Sequence, residues 1–390
     1  EILSGLVGSE MCIRDSFLTL LASMKVFYCH NCHHQVFFNN THCENCHALL
    51  GYEVENKTMG TFEQIDKSIW KSLNPKDTYS LYKPCYNYQH HQVCNWMIPV
   101  ESDQIYCESC RLTHTIPDLS IPQNTLYWRR LEQAKRRFLY LTQQLNIFPR
   151  PKNNDEDRYG LRFNFLMPSP DQPVMTGHQL GTITLNASEA DVVHREKTRL
   201  DMQENYRTVL GHFRHESGHY YFDIMTHLYP EWLDEFRLYF GDERADYAQS
   251  LEEYYQKGSD EHWQDSYISR YAGAHPWEDW AETWAHYLHI MDTLDTAYHT
   301  GMTIEANHQI DPDMHFKESP IGSLDFEHTL TNWFALSYVL NGLNRSMGLQ
   351  DAYPFTLSNA VLDKLRFIHR TLMKTALKPE IRQTNHEQPI

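Results

Sequence analysis

The sequence predicts an α+β protein: an N-terminal zinc-ribbon region, then a mostly helical domain that carries a small twisted sheet. Three observations predict it. Of the nine cysteines, eight fall into two sets of four before Arg111, at spacings that suit a metal ion better than disulfides. Two short stretches, 161–166 and 181–186, are rich in β-formers and read as strands. From Ser188 onward, long segments poor in proline and glycine carry apolar side chains at helical spacing.

Taken in order, residues 1–23 look like a non-native leader, a translated adapter read-through, and Met24 reads as the natural start. This excludes Cys12 from the metal arithmetic. The first cluster is Cys29, Cys32, Cys43 and Cys46, two CxxC turns that each present two thiolates to one tetrahedral ion. A short strand is expected between them at Val36-Phe37-Phe38. A ribbon this small has little core, so metal binding would supply most of its folding energy. The second cluster is Cys85, Cys94, Cys107 and Cys110, with His90, His91 and His114 as possible substitutes. Four thiolates are preferred because soft ligands suit zinc. The clusters span a tandem ribbon region over 24–118.

A connecting helix is expected over Gln123–Asn146, within a segment 119–150. Its Trp128 to Arg137 stretch holds several cations, which read as the polar face of that helix. The main domain is expected over 151–377. Ser188 with Asp191 is placed to cap the helix that follows the second strand. Breaks are expected at Tyr229-Pro230, Gly241-Asp242, Gly258-Ser259 and His275-Pro276, a loop at 307–323, helices at about 325–347 and 357–377, and a polar tail from 378.

A net charge of −17 argues against a general nucleic-acid binder, because phosphate binding needs a basic surface. No apolar run approaches membrane-spanning length. Metal-type cysteine spacing points to a reducing compartment, hence the cytoplasm.

Chemistry concentrates at His215-Glu216-Ser217-Gly218-His219. On a helix, side chains four apart share a face, so both imidazoles can bind one Zn²⁺, with Glu216 beside them as general base. Zinc would thus serve one catalytic and one or two structural sites. A third protein ligand is required. Phe222 and Met225 stand where an extended HExxHxxGxxH pattern would need Gly and His, which excludes that pattern. Two carboxylates remain, Glu243 and Glu278. Glu278 is preferred because Pro276 suits a helix start, and Glu278 and Glu282 then share a face. One carboxylate can bind metal while the other orients a ligand histidine. Tyr271 is placed to donate its phenol to a developing oxyanion. Gly218 leaves room for whatever packs over the motif helix.

Together, the paired CxxC turns, CRLTHTIPDLS, GTITLN, LGHFRHESGHYYFD, FGDERADYA and HPWEDWAETWAHYLH resemble a bacterial family of zinc-binding metallopeptidases with an N-terminal zinc ribbon. The Tyr271, Glu278 and Glu282 spacing is also similar to that of lethal-factor-type gluzincins. The resemblance implies a zincin-like domain with a small sheet over an active-site helix and 181–186 as its edge strand. It further implies cleavage of a peptide or protein substrate, with the ribbons available to a protein partner. Two alternatives stay open: a SprT-like protease of DNA-attached proteins, and an inactive zincin used as an interaction module.

Overall fold

The computed structural model describes residues 26–376; the readings of residues 1–23, with Cys12, and of the tail from 378 lie outside the described residues. Strands β1 (Phe27–Tyr28) and β2 (Gln35–Val36) form a short antiparallel hairpin around the first CxxC turn. The expected strand at Val36–Phe38 is shorter than predicted, and Phe37 is exposed. A five-stranded antiparallel meander follows: β3 (Leu49–Glu53), β4 (Thr58–Gln64), β5 (Trp70–Ser72), β6 (Leu81–Pro84) and β7 (Met97–Pro99). It curls until β3 meets the start of β7, where Tyr52 bridges Trp96 and the Tyr52 N–H donates to Asn95 O at 2.8 Å. The short helices α1 (Tyr86–Gln89) and α2 (Glu108–Arg111) hold the second cysteine set around this sheet.

Strand β8 (Thr113–Thr115) and helix α3 (Pro122–Gln144) lead into the main domain. A four-stranded sheet runs in the order β10 (Gly177–Gln179), β11 (Thr182–Asn186), β9 (Arg162–Leu166), β8. Strand β11 pairs parallel with β9 and antiparallel with β10. The expectation that 181–186 forms the edge is therefore corrected: β10 is the edge, and β11 lies inside. The cause is a two-residue hairpin at Leu180-Gly181. Both residues have positive φ (47° and 74°), as a type I′ turn requires. A Cβ at Gly181 would lie 2.2 Å from Gly160 O, so glycine is also sterically required there.

Helices α4 (Val192–Asp201), α5 (Val209–Leu228), α6 (Trp232–Phe240), α7 (Tyr247–Lys257), α8 (Pro276–His299), α9 (Phe326–Ser346) and α10 (Asn359–Ala376) complete the fold. None of the described helices is long and apolar enough to cross a membrane. The predicted breaks fall between these helices. Asp191 caps α4 by accepting the His194 N–H, whereas Ser188 sits in the preceding 3₁₀ turn and donates its N–H to Asn186. Phe213 of α5 joins the layers: it stacks on Phe138 of α3 at 6.4 Å and meets Phe163 of β9 edge-on at 5.3 Å.

The cations of α3 differ from the expected polar face. Lys135 and Glu132 are fully buried and pair at 2.8 Å. Thr113 of β8 donates to Glu132 Oε1 at 2.7 Å, and the Trp128 indole donates to the same oxygen at 3.3 Å. Arg136, also buried, donates to the carbonyl of Val93. These charges enter the interior because each finds a partner there. Removing one partner of a buried pair strands the other charge, at a cost of about 3–5 kcal/mol. Lys135→Ala should lower unfolding stability by about that amount in a urea titration; a loss under about 1 kcal/mol would mean that the Glu132 carboxyl is satisfied without Lys135.

Candidate metal centre

The two cysteine sets have the geometry of tetrathiolate zinc. Thiolates about 2.3 Å from one tetrahedral ion stand about 3.8 Å apart. Cys29 and Cys46 Sγ are 3.6 Å apart, Cys32 and Cys43 3.6 Å, and Cys94 and Cys107 3.7 Å. Disulfide sulfurs would be at about 2.05 Å. Each turn of the first set closes with a residue at positive φ, His33 and His47, whose N–H groups donate back to Cys29 O and Cys43 O. In the second set, Cys85 and Cys94 lie where β6 ends and β7 approaches, so α1 fills the eight-residue spacing. Backbone N–H groups of Cys107 and Trp96 donate to Cys85 and Cys94 Sγ. His90 and His91 pack on Tyr86 and Trp128, and His114 binds Asn164, so these histidines are engaged elsewhere.

The third cluster lies between α5 and α8. Thr208 caps α5 by accepting the Gly211 N–H at 2.9 Å, and the helix runs unbroken to the turn before Pro230. His215 and His219 are one turn apart on it. Helix α8 starts at Pro276, with the His275 side chain accepting the Trp277 N–H at 3.1 Å. Glu278 therefore sits in the first turn, where the helix dipole favours a carboxylate. Its Oε2 faces His215 Nε2 at 3.1 Å and His219 Nε2 at 3.5 Å. That oxygen is buried and has no hydrogen-bond partner. Atoms about 2.0–2.1 Å from one tetrahedral ion stand about 3.4 Å apart. The three donors thus fit a zinc ion with a fourth position left for water or substrate.

Carboxylates flank both nitrogens of the His215 ring. Glu282, one turn along α8, meets Nδ1 at 2.6 Å and fixes the ring. Burial alone would lower the His215 pKa, but Glu278 and Glu282 outweigh it and hold the group well above the usual histidine range. A cation shared by Nε2 and Glu278 answers the same need. Burial would raise the Glu278 pKa, yet the two histidines hold its carboxyl well below the usual range.

Glu216 is buried on α5, and its charge reaches His215, Tyr247 and Tyr271. The Tyr271 ring lies 6.1 Å from that of His215. Burial and nearby Glu278 push its phenol well above the usual range, so it keeps its proton as a donor. Glu243, the other candidate, accepts from Arg237 Nε at 2.8 Å and from its Nη2, outside the donor cluster. Packing holds the two helices close. A Cβ at Gly218 would lie 2.8 Å from Ala281 Cα. Trp280 donates to Gly218 O at 2.8 Å, and Trp284 to Ser217 Oγ at 3.0 Å.

Two residues near the site escaped the sequence reading. Tyr247, in the quoted FGDERADYA stretch, donates its hydroxyl to Glu278 Oε1 at 2.7 Å. His178 of β10 lies beside α5, and its Nε2 accepts the Gly181 N–H at 3.0 Å, which leaves the ring proton on Nδ1. Burial, then the charges of His219 and Lys152, lower its pKa to about 3, so it is neutral at pH 7. No sequence signal marks it, since it depends on the hairpin.

Comparison with known families matches residues 124–371 to one described as "Putative zinc-binding metallo-peptidase" and residues 26–121 to a zinc-ribbon domain. Uncharacterized proteins of Mycobacterium bovis and Mycobacterium tuberculosis are 39% identical over 356 residues, covering 90% of this chain and 96% of theirs. No solved structure gives a significant match. Elemental mass spectrometry of protein starting at Met24 should find about three zinc ions per chain, one per donor cluster, and about two in His215→Ala. Two in both would show that the His215 cluster holds no zinc.

Proposed function

Because the chain belongs to this zinc-binding metallo-peptidase family, we propose that it hydrolyses peptide bonds at a zinc ion held by His215, His219 and Glu278, with Glu216 as general base. One observation carries the reading: the buried Glu278 Oε2 converges with the Nε2 atoms of two histidines a turn apart. When bound, zinc supplies Lewis acidity, which acidifies water toward a pKa of about 7 and polarises a carbonyl.

The chain's own residues do the rest. Glu216 accepts the proton of the attacking water and passes it to the leaving amine. Tyr271 donates its phenolic hydrogen to the oxygen that gains charge as the carbonyl carbon becomes tetrahedral. Glu282 keeps His215 in the tautomer that presents Nε2 to the metal. The two thiolate clusters are structural zinc sites in this reading.

An extended peptide is the substrate form that suits the sheet. The outer edge of β10 pairs with no other strand among the described residues. In a two-residue hairpin the closing pair, Gln179 and Thr182, exchanges hydrogen bonds, so the next residue, His178, turns its backbone N–H and C=O outward. A peptide adding there as a further strand would meet both groups.

Glu216→Gln should retain the third zinc and lose about 10²–10⁴-fold in kcat on a mixed peptide library read by mass spectrometry. Unchanged turnover would remove Glu216 from the mechanism. For whichever library peptide is cleaved, a walk of single backbone N-methyl groups should find a position that raises KM sharply; uniform tolerance along the peptide would rule out strand addition.

A further inference from the structure

We propose that Tyr247 is a positioning residue for Glu278, delivered by α7, so that docking of α7 sets how tightly the His215–His219–Glu278 site holds zinc. This rests on the zinc reading of that site. Glu278 has two oxygens with different surroundings. Oε2 faces the histidines, and Oε1 accepts the Tyr247 hydroxyl at 2.7 Å. With Oε1 engaged, the carboxylate plane is fixed and Oε2 stays aimed at the metal position.

The helix that carries Tyr247 is unlike the others around the site. Helix α7 buries no side chain completely. It rests on the 271–277 segment through Tyr247, which meets His275 at 5.2 Å and Trp277 at 5.7 Å, and through Tyr254, which meets Tyr271 at 5.9 Å. A cavity of about 780 Å³, lined by Gln249, Glu253, Tyr254, Trp263 and Tyr267 among others, opens between α7 and the 259–267 segment. Glycines at positive φ stand on either side: Gly241 (94°), five residues before the cap Asp246, and Gly258 (75°), directly after the last turn. A helix seated along one edge, with a glycine at each end, can leave its seat without unfolding its neighbours. When it does, Glu278 loses its Oε1 partner.

The test measures zinc affinity of the third site in the full chain by competition with a chromophoric chelator, for wild type, Tyr247→Phe, Tyr254→Phe and Asp246→Ala. Tyr247→Phe keeps the ring and removes only the hydroxyl. It should weaken the third zinc about 10–100-fold and leave the two thiolate-bound zincs in place. Asp246→Ala removes the α7 cap, which accepts the Gln249 N–H, without touching Glu278, and should also weaken the third zinc. Tyr254→Phe, which lacks a bond to a ligand, should keep wild-type affinity. Equal affinity in Tyr247→Phe and wild type would overturn the positioning role. A weakened Tyr247→Phe beside an unaffected Asp246→Ala would overturn the coupling to α7. Absence of a third zinc from wild type would instead sink the zinc reading itself.

Discussion

The close approach of α5 and α8 at Gly218 and Ala281 is the constraint on which the site depends. No side chain larger than hydrogen fits at 218, because the Cβ would press on the Ala281 backbone. At that distance the indoles of Trp280 and Trp284 reach across and satisfy the Gly218 carbonyl and the Ser217 hydroxyl. Those two bonds set the register between the helices. Once the register is set, the one-turn spacing on each helix does the rest. His215 and His219 on α5 face Glu278 on α8, and Glu282, one turn on, meets the far nitrogen of His215. A shift of one residue along either axis would rotate these donors apart by about 100°.

The N-terminal region is welded to this core by α3. One part of that helix reaches the curled sheet: Gln143 accepts from the Tyr52 hydroxyl at 2.6 Å and donates to Val54 O at 2.8 Å. Arg136 donates to the segment that carries Cys94. Another part reaches α5 and the second sheet through Phe138 and the Lys135–Glu132–Thr113 network. The thiolate clusters thus belong to a rigid frame. The curled sheet also has an apolar core of its own, in which Tyr52 packs on Phe38 and Trp96 and Phe62 on Tyr82.

Much of this was legible because it depends on local geometry. The HESGH stretch reads as two imidazoles on one face because a helix repeats every 3.6 residues, and Pro276 announces the start of the helix that brings Glu278 and Glu282 together. The two cysteine sets read as metal sites from spacing and number. Non-local features were not legible. The five-stranded meander has strands of three to seven residues, with Gly51 and Gly60 inside it, and no single strand carries a strong alternation. The edge strand was misplaced because Leu180 adopts positive φ, which an apolar side chain rarely does. Lys135 and Arg136 read as surface because sequence cannot show the partners that bring a cation inside. Tyr247 meets Glu278 across 31 residues of chain, a contact that no periodicity encodes.

The last described helix has a bearing on how the molecule is made. Lys364 of α10 is buried and donates to Asp279 at 2.6 Å and to the carbonyl of Ser266 at 2.6 Å. Asp279 is the neighbour of Glu278, and Ser266 lies in the segment that leads to Tyr271. Before the ribosome has released α10, Asp279 lacks that counter-charge, and the lost hydration opposes burying it at the start of α8. The cysteine clusters, being local, can fill with metal as they emerge. The start of α8 is therefore completed by a side chain that is made 85 residues later than the carboxylate it pairs with.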